Sequence, residues 1–229
     1  MRVGDSAELP IDPVDVELFF NYLKEREAGE AEAYGYLRTQ DQAVKACVDR
    51  GLTVEFTRTK SKDHHQSPKA VVALVNDIVR HVCGKKGLSF DPNPQSRCVW
   101  CTERQLHVTA RNLDGAIPGL ANPMIIWENK EYWGGTKGGS KMSDAVYECN
   151  LVGRELREFE ESTGIRVIHI VFLDGMTQWT ARRSDLKRFV DLTNQGLINH
   201  LFVGTEIETS LESVLETILG ACPSQGKEI

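Results

Sequence analysis

The chain has 229 residues, 41% of them apolar and 26% charged, with a formal net charge of −6. These values suit one globular α/β domain, with or without a small helical lobe, and exclude a disordered or low-complexity chain. They lack the strong basic excess of many nucleic-acid binders, so such a function would require basic residues gathered on one face.

Residues 1–13 are polar and acidic and contain no apolar core of signal-peptide type. No stretch approaches the ~20 apolar residues needed to cross a bilayer. The expectation is a cytoplasmic protein with no membrane partner. Cys47, Cys83, Cys98, Cys101, Cys149 and Cys222 read as reduced thiols, not as a disulfide framework.

The first predicted helix covers 12–28, where Val16, Phe19, Phe20 and Leu23 recur at helical spacing. A second covers 39–50, with Gly51 as its stop. Residues 52–57 read as a short strand and 59–68 as a polar loop. An amphipathic helix follows over 68–83, carrying Val71, Val72, Leu74, Val75, Ile78, Val79 and Val82, with Gly84 as its stop. Residues 91–96 are rich in turn formers. Strands are predicted at 106–110, briefly after 116, and at 124–133. The Gly-rich loop 134–140 leads into a long helix that ends before Gly164. The apolar run 165–175 suits a strand buried on both faces. A helix over 184–196 with Ser184 as N-cap, a strand at 201–205 and a helix over 209–220 complete the chain. The order predicts an α/β fold: a central mixed β-sheet flanked by helices, with an N-terminal helical extension. Residues 1–66 form that extension, packed on a core of 67–229, and the whole makes one compact domain.

The chemistry concentrates between Asp114 and Lys130. Side chains alternate along a strand, so Glu128 and Lys130 share a face while Asn129 points to the other. Leaving an unpaired charge in so apolar a strand would be costly. An ion pair is the plain explanation. Asp114 adds another, because a hairpin between it and 124–133 would bring its carboxylate beside Glu128. Converging carboxylates repel unless a cation sits between them. Hard oxygen donors suit Mg²⁺, which takes one or two carboxylates and fills its other positions with water and phosphate. Lys130 could then hold the attacking water and stabilise charge on a scissile phosphate. The chemistry implied is phosphodiester hydrolysis.

Asp114 followed by Glu128-Asn129-Lys130, in a helix–strand–strand–strand–helix–strand order over residues 68–175, resembles the PD-(D/E)xK nuclease superfamily. Leu113 stands where that motif has proline. The resemblance implies an αβββαβ core of restriction-endonuclease type. It also implies Asp114, Glu128 and Lys130 as catalytic residues, and Asp114 and Glu128 as ligands of Mg²⁺, with Mn²⁺ as a substitute. An additional upstream acid would come from Asp77, Glu27, Glu30 or Glu32. The size of the chain is most like a type II restriction endonuclease, which implies double-stranded DNA as partner and a homodimer related by a two-fold axis. The alternatives are a structure-specific or non-specific nuclease of repair, recombination or phage defence, and a non-catalytic α/β binding module.

Lys137, Ser140 and Lys141, in the loop after the motif, are candidate DNA-binding residues near a helix N-terminus. Arg58, Lys60 and Lys62, and then Arg182, Arg183, Lys187 and Arg188, are further basic runs. Cys98 and Cys101 form a single CxxC. A structural Zn²⁺ there would need Cys83, His81 or His107 to complete it. His64 and His65 read as a loop pair, His169 as a satisfied core histidine, and Tyr147 and Glu148 as ordinary helix residues.

Overall fold

The computed structural model describes residues 2–3, 7–8, 12–57, 67–134 and 139–221. Arg58, Lys60, Lys62, His64, His65, Lys137 and Cys222 lie outside the described residues, and of Ser140 only the backbone is described. Two short strands, β1 (Arg2–Val3) and β2 (Ala7–Glu8), pair antiparallel. Helix α1 (Pro13–Tyr36) starts with Asp12 accepting from the Val14 N–H and with Pro13 at its first position, where the missing N–H costs nothing. It outruns the predicted 12–28. Gly29 lies within it, where an added Cβ would sit 3.3 Å from Val190 on a neighbouring helix. Helix α2 (Gln40–Asp49) opens with a reciprocal capping box of Thr39 and Gln42.

Residues 52–57 form no strand. Their one β contact is an isolated bridge between Phe56 and Pro68. Helix α3 (Ala70–Lys86) passes through Gly84 and ends at Gly87, whose left-handed φ of 65° closes the last turn. Strands β3 (Arg97–Cys101) and β4 (Leu106–Asn112) form an antiparallel hairpin, of which only the second was expected. Strands β5 (Gly115–Ile117), β6 (Ile125–Glu131), β7 (Ile168–Asp174) and β8 (His200–Val203) make a four-stranded sheet in that order. β5 is antiparallel to β6; β6, β7 and β8 run parallel. Parallel neighbours need crossovers. Helix α4 (Gly139–Thr163) supplies the first, and α5 (Met176–Ala181) with α6 (Arg183–Asn194) supplies the second. Ser184 is not the cap of α6: that position falls to Arg182, with no side-chain cap bond. Helix α7 (Glu206–Ala221) ends the described chain.

The sheet is therefore mixed and covered by helices on both faces, as predicted. Ile125, Trp127, Ile170, Phe172 and Phe202 pack with the apolar faces of α3 and α7. Val171 and Leu173 pack with Met142, Ala145 and Cys149 of α4 and with Leu186 and Phe189 of α6. A smaller cluster joins Cys98 and Trp100 to Ile126 and to Phe159 of α4. No helix among the described residues is long and apolar enough to cross a membrane.

Candidate active site

The alternation of β6 sets the geometry. Opposed residues in a parallel pair share a face, and Ile126 faces His169, Glu128 faces Val171 and Lys130 faces Leu173. Glu128 and Lys130 therefore project with His169 towards α4. Glu128 is 1% exposed and Lys130 5%. Lys130 Nζ donates to Glu128 Oε2 at 2.8 Å and to Glu148 Oε2, from α4, at 2.9 Å. Arg111, from β4, donates to the same Glu128 oxygen and lies 2.9 Å from Glu148 Oε2. The result is a closed network of two cations and two carboxylates.

Burial alone would raise the Glu128 pKa. The contact with His169 and the charges of Lys130 and Arg111 outweigh it and hold the carboxyl well below its ordinary range. Burial likewise opposes the charge on Lys130, but Glu128 beside it raises its pKa above the ordinary lysine value. Both groups are charged at neutral pH.

Asp114 lies one residue before β5, whose first pair in the β5–β6 ladder is Gly115–Trp127. Its N–H donates to the Trp127 carbonyl at 3.1 Å. Its Oδ2 accepts the Asn129 N–H at 2.7 Å. Burial raises its pKa, and the charge of Glu128 pushes in the same direction. The hairpin thus brings Asp114 to the end of the sheet that carries Glu128 and Lys130. It also lines a cavity of about 590 Å³ on the α3 side, with Asn129, Glu131, Lys69, Asn76 and Arg80 among its neighbours. Glu128 and Lys130 do not line that cavity. Glu128 and Glu148 share Lys130 and Arg111, and Asp114 adds a third carboxylate at this end of the sheet, but among the described residues these three are not gathered into one metal-binding group.

Other sequence-based expectations fare unevenly. Glu148 joins the network, whereas Tyr147 is exposed. None of the proposed upstream acids contributes. Asp77 faces Arg50, Glu30 is buried against Arg183 and Lys187, Glu32 accepts from Tyr36, and Glu27 is exposed. The basic run after α5 is largely committed: Arg182 and Arg188 pair with Asp185, and Arg183 and Lys187 with Glu30. Lys141 is exposed at the start of α4. Cys98 is buried in the core while Cys101, three residues on in a strand, is exposed. Among the described residues they are not gathered with Cys83, His81 or His107 into a metal-binding group. Cys47, Cys83, Cys98, Cys101 and Cys149 are all free thiols.

His169 is more than a satisfied core residue. Its Nδ1 lies 3.1 Å from the Leu197 carbonyl oxygen, which can only accept, so Nδ1 carries a proton. Nε2 is turned to Glu128 Oε1 at 3.5 Å. Sequence reasoning also passed over Arg111, three residues before Asp114 on β4. No curated protein and no solved structure matches the chain. The chain belongs to the family described as a domain of unknown function, DUF7687, whose model matches residues 27–218 and so takes in the whole cluster.

Proposed function

We propose that the protein is a Mg²⁺-dependent endonuclease that hydrolyses DNA phosphodiester bonds, with Asp114, Glu128 and Lys130 as its catalytic residues. The observation that carries this reading is their gathering at one end of the sheet: Lys130 lies 2.8 Å from Glu128 on the same strand face, and Asp114 accepts the N–H of Asn129 between them. Asp114 and Glu128 would hold the cation, which when bound polarises a phosphoryl oxygen and lowers the pKa of its water. Lys130 stays protonated beside Glu128. It therefore serves as a fixed positive charge for the scissile phosphate and the developing oxyanion, and not as a general base. Arg111, partly exposed on the same carboxylate, is placed to exchange Glu128 for a phosphate oxygen. Fixed bonds from Lys130 to both Glu128 and Glu148 preorganise this charge. Cutting both strands of a duplex requires two such sites, which a two-fold homodimer supplies.

The test is a plasmid digest with purified protein and Mg²⁺ or Mn²⁺. The expected result is cleavage, with discrete fragments for a type II enzyme and a smear for a non-specific one. Lys130→Ala and Asp114→Asn should each lose roughly 100-fold or more in rate. Full activity in Lys130→Ala would sink the assignment. A second reading rests on the closure of the ion-pair network. If Arg111, Glu128, Lys130 and Glu148 only brace β4, β6 and α4, the chain is a non-catalytic α/β module. No cleavage and no Mg²⁺ or Mn²⁺ uptake by calorimetry, with and without DNA, would favour that reading.

A further inference from the structure

Behind the Lys130–Glu128 pair, three buried side chains from three elements converge. Glu128 comes from β6, Cys149 from α4 and His169 from β7, and one ligand atom of each lies within 4.8 Å of the other two. All three residues are essentially inaccessible to solvent. Glu128 Oε1 and His169 Nε2 are both buried without a hydrogen-bond partner. Two polar atoms left without partners and facing each other in a dry interior are costly.

We propose that Glu128 Oε1, Cys149 Sγ and His169 Nε2 form a buried binding site for a borderline-soft divalent cation, Zn²⁺ by preference. Four properties support it. First, the His169 ring donates Nδ1–H to a backbone carbonyl, the outer-shell bond that fixes a metal-binding histidine and leaves the Nε2 lone pair free. Second, ligand atoms about 2.1 Å from a tetrahedral ion stand roughly 3.4 Å apart, and His169 Nε2 and Glu128 Oε1 are 3.5 Å apart. Cys149 Sγ lies within 4.8 Å of both and supplies the other two edges. Third, the donor set of thiol, imidazole and carboxylate suits Zn²⁺ and not Mg²⁺, and three protein ligands leave one position for water. Fourth, the charges balance. Arg111 and Lys130 pair with Glu128 and Glu148, and Asp114 on the adjoining hairpin adds a third carboxylate, which leaves one net negative charge when all are ionised. A divalent ion that displaces the Cys149 proton adds one positive charge and neutralises the cluster. Binding forms the metal–sulfur bond, breaks S–H and releases one proton to solvent.

This site would tie α4 to two central strands. It shares Glu128 with the proposed catalytic centre, through its other oxygen, and does not depend on the nuclease reading. The test uses Co²⁺ as a spectroscopic substitute on the full chain, freed of metal and without DNA. The expected result is one equivalent bound, with a near-ultraviolet thiolate-to-cobalt charge-transfer band and intense tetrahedral visible bands that Zn²⁺ bleaches. The charge-transfer band should vanish in Cys149→Ser and in Cys149→Ala, and affinity should drop at least tenfold in His169→Gln. Circular dichroism checks that each variant is folded. The wild type decides the matter even if a variant does not fold. A folded wild type with no thiolate–cobalt band means only a thiol–carboxylate contact and overturns the proposal. Persistence of the band in Cys149→Ala moves the metal to another cysteine and overturns it equally. Cleavage of DNA is scored separately, so the two readings can fail independently.

Discussion

Glu131 follows Lys130 but faces the other side of the sheet, where its Oε2 accepts from the Val71 N–H and from Trp133 Nε1, each at 3.0 Å. It caps the first turn of α3 with an acceptor that the apolar Ala70–Val71–Val72 start of the helix cannot provide. Burial pushes its pKa up to about 7, against the bonds from Val71 and Trp133. A carboxyl whose folded pKa is raised stabilises fully below its unfolded value, near 4.3, and that contribution is lost as pH rises through the folded value. Stability should therefore fall between about pH 4.5 and 7 by on the order of 1–3 kcal/mol. Glu131→Gln keeps both accepted bonds and removes the titration, so its urea-unfolding free energy should lose that slope. Parallel pH profiles for the two proteins would refute this. The same strand shows what sequence can resolve at this scale. Period-two alternation put Glu128 and Lys130 on one face, and that needed only β6 to be a strand. Arg111, Glu148 and His169 carry no such mark. Each is ordinary for a strand or helix surface, and only the packing of β4, α4 and β7 on one point gives them a common partner.

Asp114 owes its position to the pairing of β5 with β6, and that pairing depends on a close approach. An added Cβ at Gly115 would stand 1.8 Å from the buried Trp127 indole. Gly115→Ala must therefore displace either the tryptophan or the strand, at about 2–3 kcal/mol. For a chain of this length that lowers Tm by roughly 5–10 °C. It should also weaken DNA cleavage by shifting the adjacent carboxylate. Gly119→Ala is the control, since nothing lies within 4 Å of its Cβ position. Equal melting of the two variants would mean that the close approach does not hold the strand pair. Long elements with one dominant period, namely α3, β6, α4 and β7, could be read from the chain. The misreadings were short or locally ambiguous. Helix α5 has six residues and begins after Gly175, with no side-chain cap. Strand β3 is five residues whose pairing with β4 includes a register shift. Residues 52–57 have strand composition but find no edge beyond one bridge. Gly84 reads as a stop, yet the helix continues to Gly87 because Leu88 N–H bonds back to the Cys83 carbonyl.

A net charge of −6 and a basic run tied up on Asp185 and Glu30 leave few described places where a polyanion could dock. One is the end of the sheet at Asp114. Arg111 is partly exposed on the α4 side, and Lys69 and Arg80 line the cavity on the α3 side. Asp114 lines the cavity. If the proposed nuclease reading holds, a duplex that reaches the Asp114 and Glu128 carboxylates from this end must pass Lys69 and Arg80, which would position phosphates without taking part in the chemistry. Removing one cation that neutralises a phosphate makes the slope of log K against log salt shallower by about one. The double variant Lys69→Ala/Arg80→Ala should therefore bind DNA at least tenfold more weakly at moderate salt. Its salt slope should be shallower by about two, with the rate at saturating DNA retained. Lys45→Ala, on the exposed Lys45–Asp49 pair of α2, should change neither. An unaltered slope in the double variant would mean that DNA approaches from the α4 side alone, over Arg111 and Lys141, and that the cavity beside Asp114 serves something other than the phosphate backbone.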